Sequence, residues 1–152
     1  KTSICLFILL FSLVCGKAAA VEVGVTGGLE SNPSRFSYGL SGSMGFLLPL
    51  LKMEIEGYKI SGTEAGEMPG GIMLGLKFKP NLGEISPYGV IGVGSEMEEI
   101  SLDFDEMETF TFIGGGLYYK IAPVISLRAD FRFLNFSGFN RIRLTGGIFF
   151  HL

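Results

Sequence analysis

Apolar and polar residues alternate along most of this chain. In RIRLTGGIFFHL (141–152), Ile142, Leu144, Ile148, Phe150 and Leu152 fall on one parity, while Arg141, Arg143, Thr145 and His151 fall on the other. Successive side chains of a strand point to opposite faces, so this segment predicts a strand with one oily and one ionic face. Seven further period-two runs, bounded by turn residues, predict strands at roughly 21–30, 34–46, 50–60, 70–79, 86–95, 109–120 and 124–134. Each is about as long as the 9–11 residues of a tilted transmembrane strand. Eight is the smallest even strand count of a closed transmembrane barrel.

The connections alternate in kind. SNPS, SGTEAGEMP, EMEEISLDFDEME and NFSGFN, after the odd strands, are polar and vary in length. LLP, PNLGEI and IAP, after the even ones, are short and carry proline. Long loops on one rim and tight turns on the other are the habit of outer-membrane barrels. The expected fold is therefore all-β, an eight-stranded antiparallel up-and-down transmembrane β-barrel.

In strand 3, Leu51, Met53 and Ile55 oppose Lys52, Glu54 and Glu56. In strand 4, Ile72, Leu74, Leu76 and Phe78 oppose Gly71, Gly75, Lys77 and Lys79. In strand 7, Ile125, Leu127, Ala129, Phe131 and Phe133 oppose Ser126, Arg128, Asp130 and Arg132. Strand 2 sets Phe36, Tyr38, Leu40, Met44 and Phe46 against Arg35 and a series of Ser and Gly. Strands 5 and 6 are ambiguous, because their glycines occupy both parities. The polar sets mix charge with Gly and Ser, which suits a narrow interior with little room for bulk. Phe36, Tyr88, Tyr118, Tyr119, Phe133, Phe149 and Phe150 lie near strand ends and read as an interfacial girdle. The oily face is accordingly expected to meet lipid and the ionic face to fill the lumen. Buried ions must pair: Glu22, Glu54, Glu56 and Asp130 can meet Arg35, Lys52, Lys77, Lys79, Arg128, Arg132, Arg141 and Arg143. An Arg–Asp–Arg group of Asp130, Arg132 and Arg143, with Arg128 beside it, is expected to bridge to Glu54 or Glu56 across the lumen. A soluble exported β-barrel with an apolar, ligand-binding core is the competing reading.

The start of the chain changes the picture by adding a compartment. KTSICLFILLFSLVCGKAAA has the basic, apolar and small-residue regions of a cleaved secretory signal, so residues 1–20 are expected to be a signal peptide and 21–152 the barrel domain. Both cysteines, Cys5 and Cys15, fall in that signal, leaving the domain without thiol chemistry or disulfides. The whole chain has a net charge of −3, and loss of Lys1 and Lys17 makes it −5. That balance argues against nucleic acid as a partner. Its 23 glycines disfavour long helices.

With these residues in view, the chain resembles the small outer-membrane β-barrel family of Gram-negative bacteria, the OmpA/OmpX-like group. SPYGVIGVG (86–94) looks like that family's Pro-Tyr strand followed by glycines. GGGLYYKIAPVISLRADFRF (114–133) is similar to its Gly-rich hairpin, and RLTGGIFFHL (143–152) to its closing strand. The resemblance implies outer-membrane localisation, contact with membrane lipid and lipopolysaccharide, and assembly by the outer-membrane insertion machinery. That machinery prefers a terminal aromatic; Leu152 departs from this and Phe150 keeps an aromatic two residues earlier. The sequence does not continue past Leu152 into a peptidoglycan-binding domain, so a barrel alone is expected.

Candidate chemistry is sparse. The single histidine, His151, has no Ser or Asp beside it in GIFFHL, so a small lipid-modifying enzyme is the weaker alternative. The acidic segment 96–108 lacks the ligand order and glycine of an EF-hand and reads as a solvated loop, with divalent binding as an open possibility. No nucleotide or metal motif occurs, and no cofactor or catalytic residue is expected. The function expected is that of an integral, porin-like but plugged cell-surface barrel, structural or interactive through loops 61–69 and 95–108, with the surface partner undefined.

Overall fold

The computed structural model describes residues 20–32, 34–46, 48–61, 69–97 and 108–152. Apart from Ala20, the expected signal lies outside them, as do most of loop 61–69 and most of the acidic segment. Eight strands follow one another: β1 (Val21–Glu30), β2 (Arg35–Phe46), β3 (Leu48–Ile60), β4 (Gly70–Phe78), β5 (Ile85–Met97), β6 (Glu108–Ala122), β7 (Ile125–Phe136) and β8 (Asn140–His151). Each pairs antiparallel with its sequence neighbours, and β8 closes onto β1. The seam runs from Glu22 opposite His151 to Glu30 opposite Arg143. Closure leaves no sheet edge, which is what a β structure in hydrocarbon requires. No described helix is long and apolar enough to cross a membrane.

Several strands extend further than the sequence pattern marks, while β4 stops one residue short at Phe78. The expected LLP connection shrinks to residue 47, with a register shift at Gly45/Phe46. β6 reaches Ala122 through a shift between Lys120 and Ala122, and β5 continues to Met97, drawing Glu96 out of the expected loop and into the barrel wall. Turn residues and strand ends look alike in composition, whereas ladder hydrogen bonds decide where pairing stops. Among the described residues, two connections use left-handed backbone: Asn32 (φ 62°) between β1 and β2 and Gly83 (φ 98°) between β4 and β5. These are the residue types that tolerate it.

The faces divide by parity. Leu74 (47 % exposed), Phe131 (47 %) and Ile148 (44 %) look outward, while Arg128 (3 %) is sealed inside. An exterior of Leu, Ile, Val and Phe around an ionic interior is the reverse of a soluble core. It is the arrangement a barrel needs when its solvent is lipid. β5 and β6 also resolve: Ser86, Tyr88, Val90, Phe110, Phe112 and Tyr118 point inward. Three of the aromatics expected in the girdle, Tyr88, Tyr118 and Phe149, therefore belong to the lumen. They sit near strand ends, but on the inward parity, and parity decides.

Inward glycines let neighbouring strands curl tightly around a narrow lumen. A Cβ on Gly28 would run into the Leu144 carbonyl and the Thr145 backbone, whereas on outward Gly42 its nearest neighbours lie 3.9 Å away. Gly28→Ala is expected to lower stability by about 1–3 kcal/mol through overpacking. Gly42→Ala should stay within about 0.5 kcal/mol of the parent. Urea unfolding of the two variants checks this; equal effects would remove the curvature argument.

The charged lumen as candidate functional site

The inward parity of eight strands delivers ionisable side chains to one cylinder, and there they form a continuous ladder. At the short-turn end Glu22 accepts from Lys52 (2.7 Å), Lys79 (2.6 Å) and Lys77 (3.3 Å), and from the Ser43 hydroxyl (2.9 Å). Lys77 donates onward to Glu54 (2.9 Å), which also takes Arg128 (3.0 Å) and Arg132. Glu56 joins Arg128 (3.1 Å) to Arg143 (2.8 Å). Towards the long-loop end, Glu30 accepts from Arg141 (3.2 Å) and pairs with Arg143 (3.4 Å), and Arg141 reaches Glu96 at 2.7 Å. Among the described residues, six lumen carboxylates (Glu22, Glu30, Glu54, Glu56, Glu96, Asp130) meet seven cations (Lys52, Lys77, Lys79, Arg128, Arg132, Arg141, Arg143). Near-balance is what makes such a desolvated interior tolerable.

Glu54, Glu56, Arg128, Asp130, Arg132 and Arg143 all line the lumen, whereas Arg35, also expected as a partner, makes no ion pair among the described residues. Asp130 accepts from Arg132 Nε (2.8 Å) and from the Tyr88 hydroxyl, and Arg128 Nε stands 3.9 Å away. Arg132 lies opposite Arg143 on the neighbouring strand, and Glu56 spans the two, at 3.4 Å and 2.8 Å. Three partners were missed in the sequence. Glu30 and Glu96 sit where strand meets loop and were not counted as lumenal. Tyr58, which donates to Glu96 (3.1 Å), follows Glu56 on the same parity beyond the last charge counted on β3. Alternation extended to the strand ends would have found all three.

Aromatic rings seal both ends of the ladder. Lys79 lies 3.6 Å from the centroid of Tyr118, and Arg128 stacks on Phe149 at 4.4 Å. Towards the long loops Phe136 contacts Phe110 and Phe139, each at 4.6 Å between centroids, with Arg141 at 4.9 Å from the Phe136 ring. Each arrangement places a cation on the negative face of a ring. The lumen is thus more aromatic than the alternation of β2, β3, β4 and β7 suggests.

His151 corrects a local reading of the sequence. Ser126, on the adjacent strand, lies 2.7 Å from its Nε2, and Glu22, across the β8–β1 seam, lies 3.4 Å from Nδ1. Ser–His–acid is the order of a hydrolase triad, so the roles need weighing. Ser126 is only 3 % exposed, and the Glu22 oxygen facing His151 also receives Lys52 and Lys79. An acid already neutralised by two ammonium groups stabilises an imidazolium weakly, and the Ser126 hydroxyl is buried. The trio sits at the short-turn end of the barrel. No group of three or more His, Cys, Asp or Glu suited to holding a metal occurs among the described residues.

Fold and lumen define a class: the closed eight-stranded β-barrel of transmembrane type, with a side-chain-filled interior. Within it the chain is similar in fold to the N-terminal barrel of Pseudomonas aeruginosa OprF (TM-score 0.71, 17 % identity), covering 88 % of this chain and 97 % of that one. Neisserial surface protein A is similar over the same shares, at a TM-score of 0.66 and 13 % identity. A de novo designed transmembrane β-barrel also matches, at a TM-score of 0.63 and 14 % identity, over 90 % of this chain and 98 % of the design. The sequence matches no family model and no curated protein. These likenesses are likenesses of fold.

Proposed function

We propose that this chain is a resident of a Gram-negative outer membrane, non-enzymatic and non-conducting, with a structural or surface-interaction role. The supporting observation is the ladder itself. It runs from Glu22 to Glu96 with cations bridging every step, and bulky Tyr118, Phe149, Phe110 and Phe136 are packed in beside it. An eight-stranded barrel is just wide enough to be filled in this way. Such a wall isolates the lumen, so a partner is met through the polar connections that follow β3 and β5.

Reconstitution in planar bilayers tests the sealed lumen, and the expected record shows no steady single-channel conductance. A reproducible open level would overturn the plugged reading. Membrane residence is tested by envelope fractionation with a heat-shift gel: the folded barrel should stay in the envelope and change mobility only after boiling.

A further inference from the structure

The outer wall is not uniformly smooth. Between β1 and β4, in the third of the barrel nearest the long loops, lies an open groove of about 560 Å³ bordered by Val25, Tyr38, Leu40, Gly57 and Lys59. Its floor is Gly57, where an added Cβ would meet no atom within 4 Å. Directly across the ladder from Gly57 stand Leu40 on β2 and Ile72 on β4, both exposed and large. The missing side chain leaves a hollow between two tall ones; exposed Ile55 closes it along β3 towards mid-barrel, and its lining crosses the strands towards Val25 on β1.

Lys59 stands at the hollow's long-loop end, two residues beyond Gly57 on the same face, and Tyr38 is its cross-strand partner. Among the described strand residues, Lys59 is the one charged side chain on the outward parity. A cation on the lipid face is tolerated near the interface, where a long side chain can reach the headgroups. An ammonium with a tyrosine hydroxyl alongside offers donors to an anionic oxygen. The long-loop rim is the outward one in this architecture, so the headgroup at that depth belongs to the outer leaflet.

We propose that this groove is a site for a phosphorylated, multiply acylated outer-leaflet lipid of lipid A type, with one acyl chain in the Gly57 hollow and a phosphate on Lys59 and Tyr38. This rests on the membrane reading above and adds to it a defined position and stoichiometry. The hollow gives the chain a fixed place, and the pair at its mouth selects a phosphate over a neutral headgroup.

The test uses the folded full-length barrel in mixed micelles, with bisphosphorylated lipid A, dephosphorylated lipid A and phosphatidylglycerol as separate probes, read by native mass spectrometry. One lipid A should be retained per barrel. Retention should fall at least tenfold in Lys59→Gln, in Gly57→Leu and with the dephosphorylated probe, and stay unchanged in Gly42→Leu. The result that overturns the site is retention that both groove variants leave intact, that phosphatidylglycerol matches, or that grows without a limit of one. A heat-shift gel on the same samples separates the two ideas: a barrel that is heat-modifiable yet holds no lipid A defeats the groove and leaves the membrane reading standing.

Discussion

Glu54→Ala is expected to destabilise the barrel by about 3–5 kcal/mol, the usual result of removing one partner from a buried ionic cluster. Glu54 is the junction of the ladder, receiving Lys77, Arg128 and Arg132 at once. Arg132 keeps Asp130, Arg128 keeps Glu56, and Lys77 keeps a longer contact to Glu22 at 3.3 Å. The loss is therefore one carboxylate's share among three desolvated cations with nowhere to move. Asp130→Ala should also lower the unfolding midpoint but by less, because both of its arginine partners keep other carboxylates. Equilibrium urea unfolding in phospholipid vesicles measures both. Adding Lys77→Met to Glu54→Ala should recover part of the loss, since it removes a buried cation that the first change leaves with only its longer carboxylate contact, to Glu22. A Glu54→Ala midpoint within error of the parent would mean that the ladder is ornamental to stability.

How much of this could be read from the chain follows from what alternation encodes. β3, β4 and β7 declare their faces because each sets Leu, Ile, Met or Phe on one parity and Lys, Glu, Asp, Arg or Gly on the other. β5 and β6 hide theirs, since Gly89 and Gly115 face out while Gly92, Gly94, Gly114 and Gly116 face in; a residue without a side chain carries no sign of direction. Tyr88 and Tyr118 were misplaced for the same reason, as nothing beside them fixed the parity. Contacts across the lumen are harder still. Ser126 and His151 are 25 residues apart, and only the register that sets Ser126 opposite Phe149 brings them within 2.7 Å. Composition names the charges; shear and closure decide which of them meet.

The orientation of the wall makes the sharpest demand on experiment. Leu74 is the fifth of nine residues in β4, and its side chain points away from the lumen. In a barrel surrounded by hydrocarbon, an arginine there sits near the bilayer midplane and is expected to cost about 2–4 kcal/mol. At Phe78, the last residue of the same strand, the arginine head can reach water or headgroups, and the cost should fall to about 0–1 kcal/mol. Neither change touches the ion pairs inside, because both positions lie on the outward parity. Leu74→Arg should therefore fold poorly in phospholipid vesicles and lose its heat-resistant fast mobility, while Phe78→Arg should fold almost as the parent does. A water-soluble barrel demands the opposite: an exposed leucine exchanged for arginine leaves stability unchanged or improves solubility, at either depth. The gradient between the two sites, more than either value, reports the solvent in which this wall was built to stand.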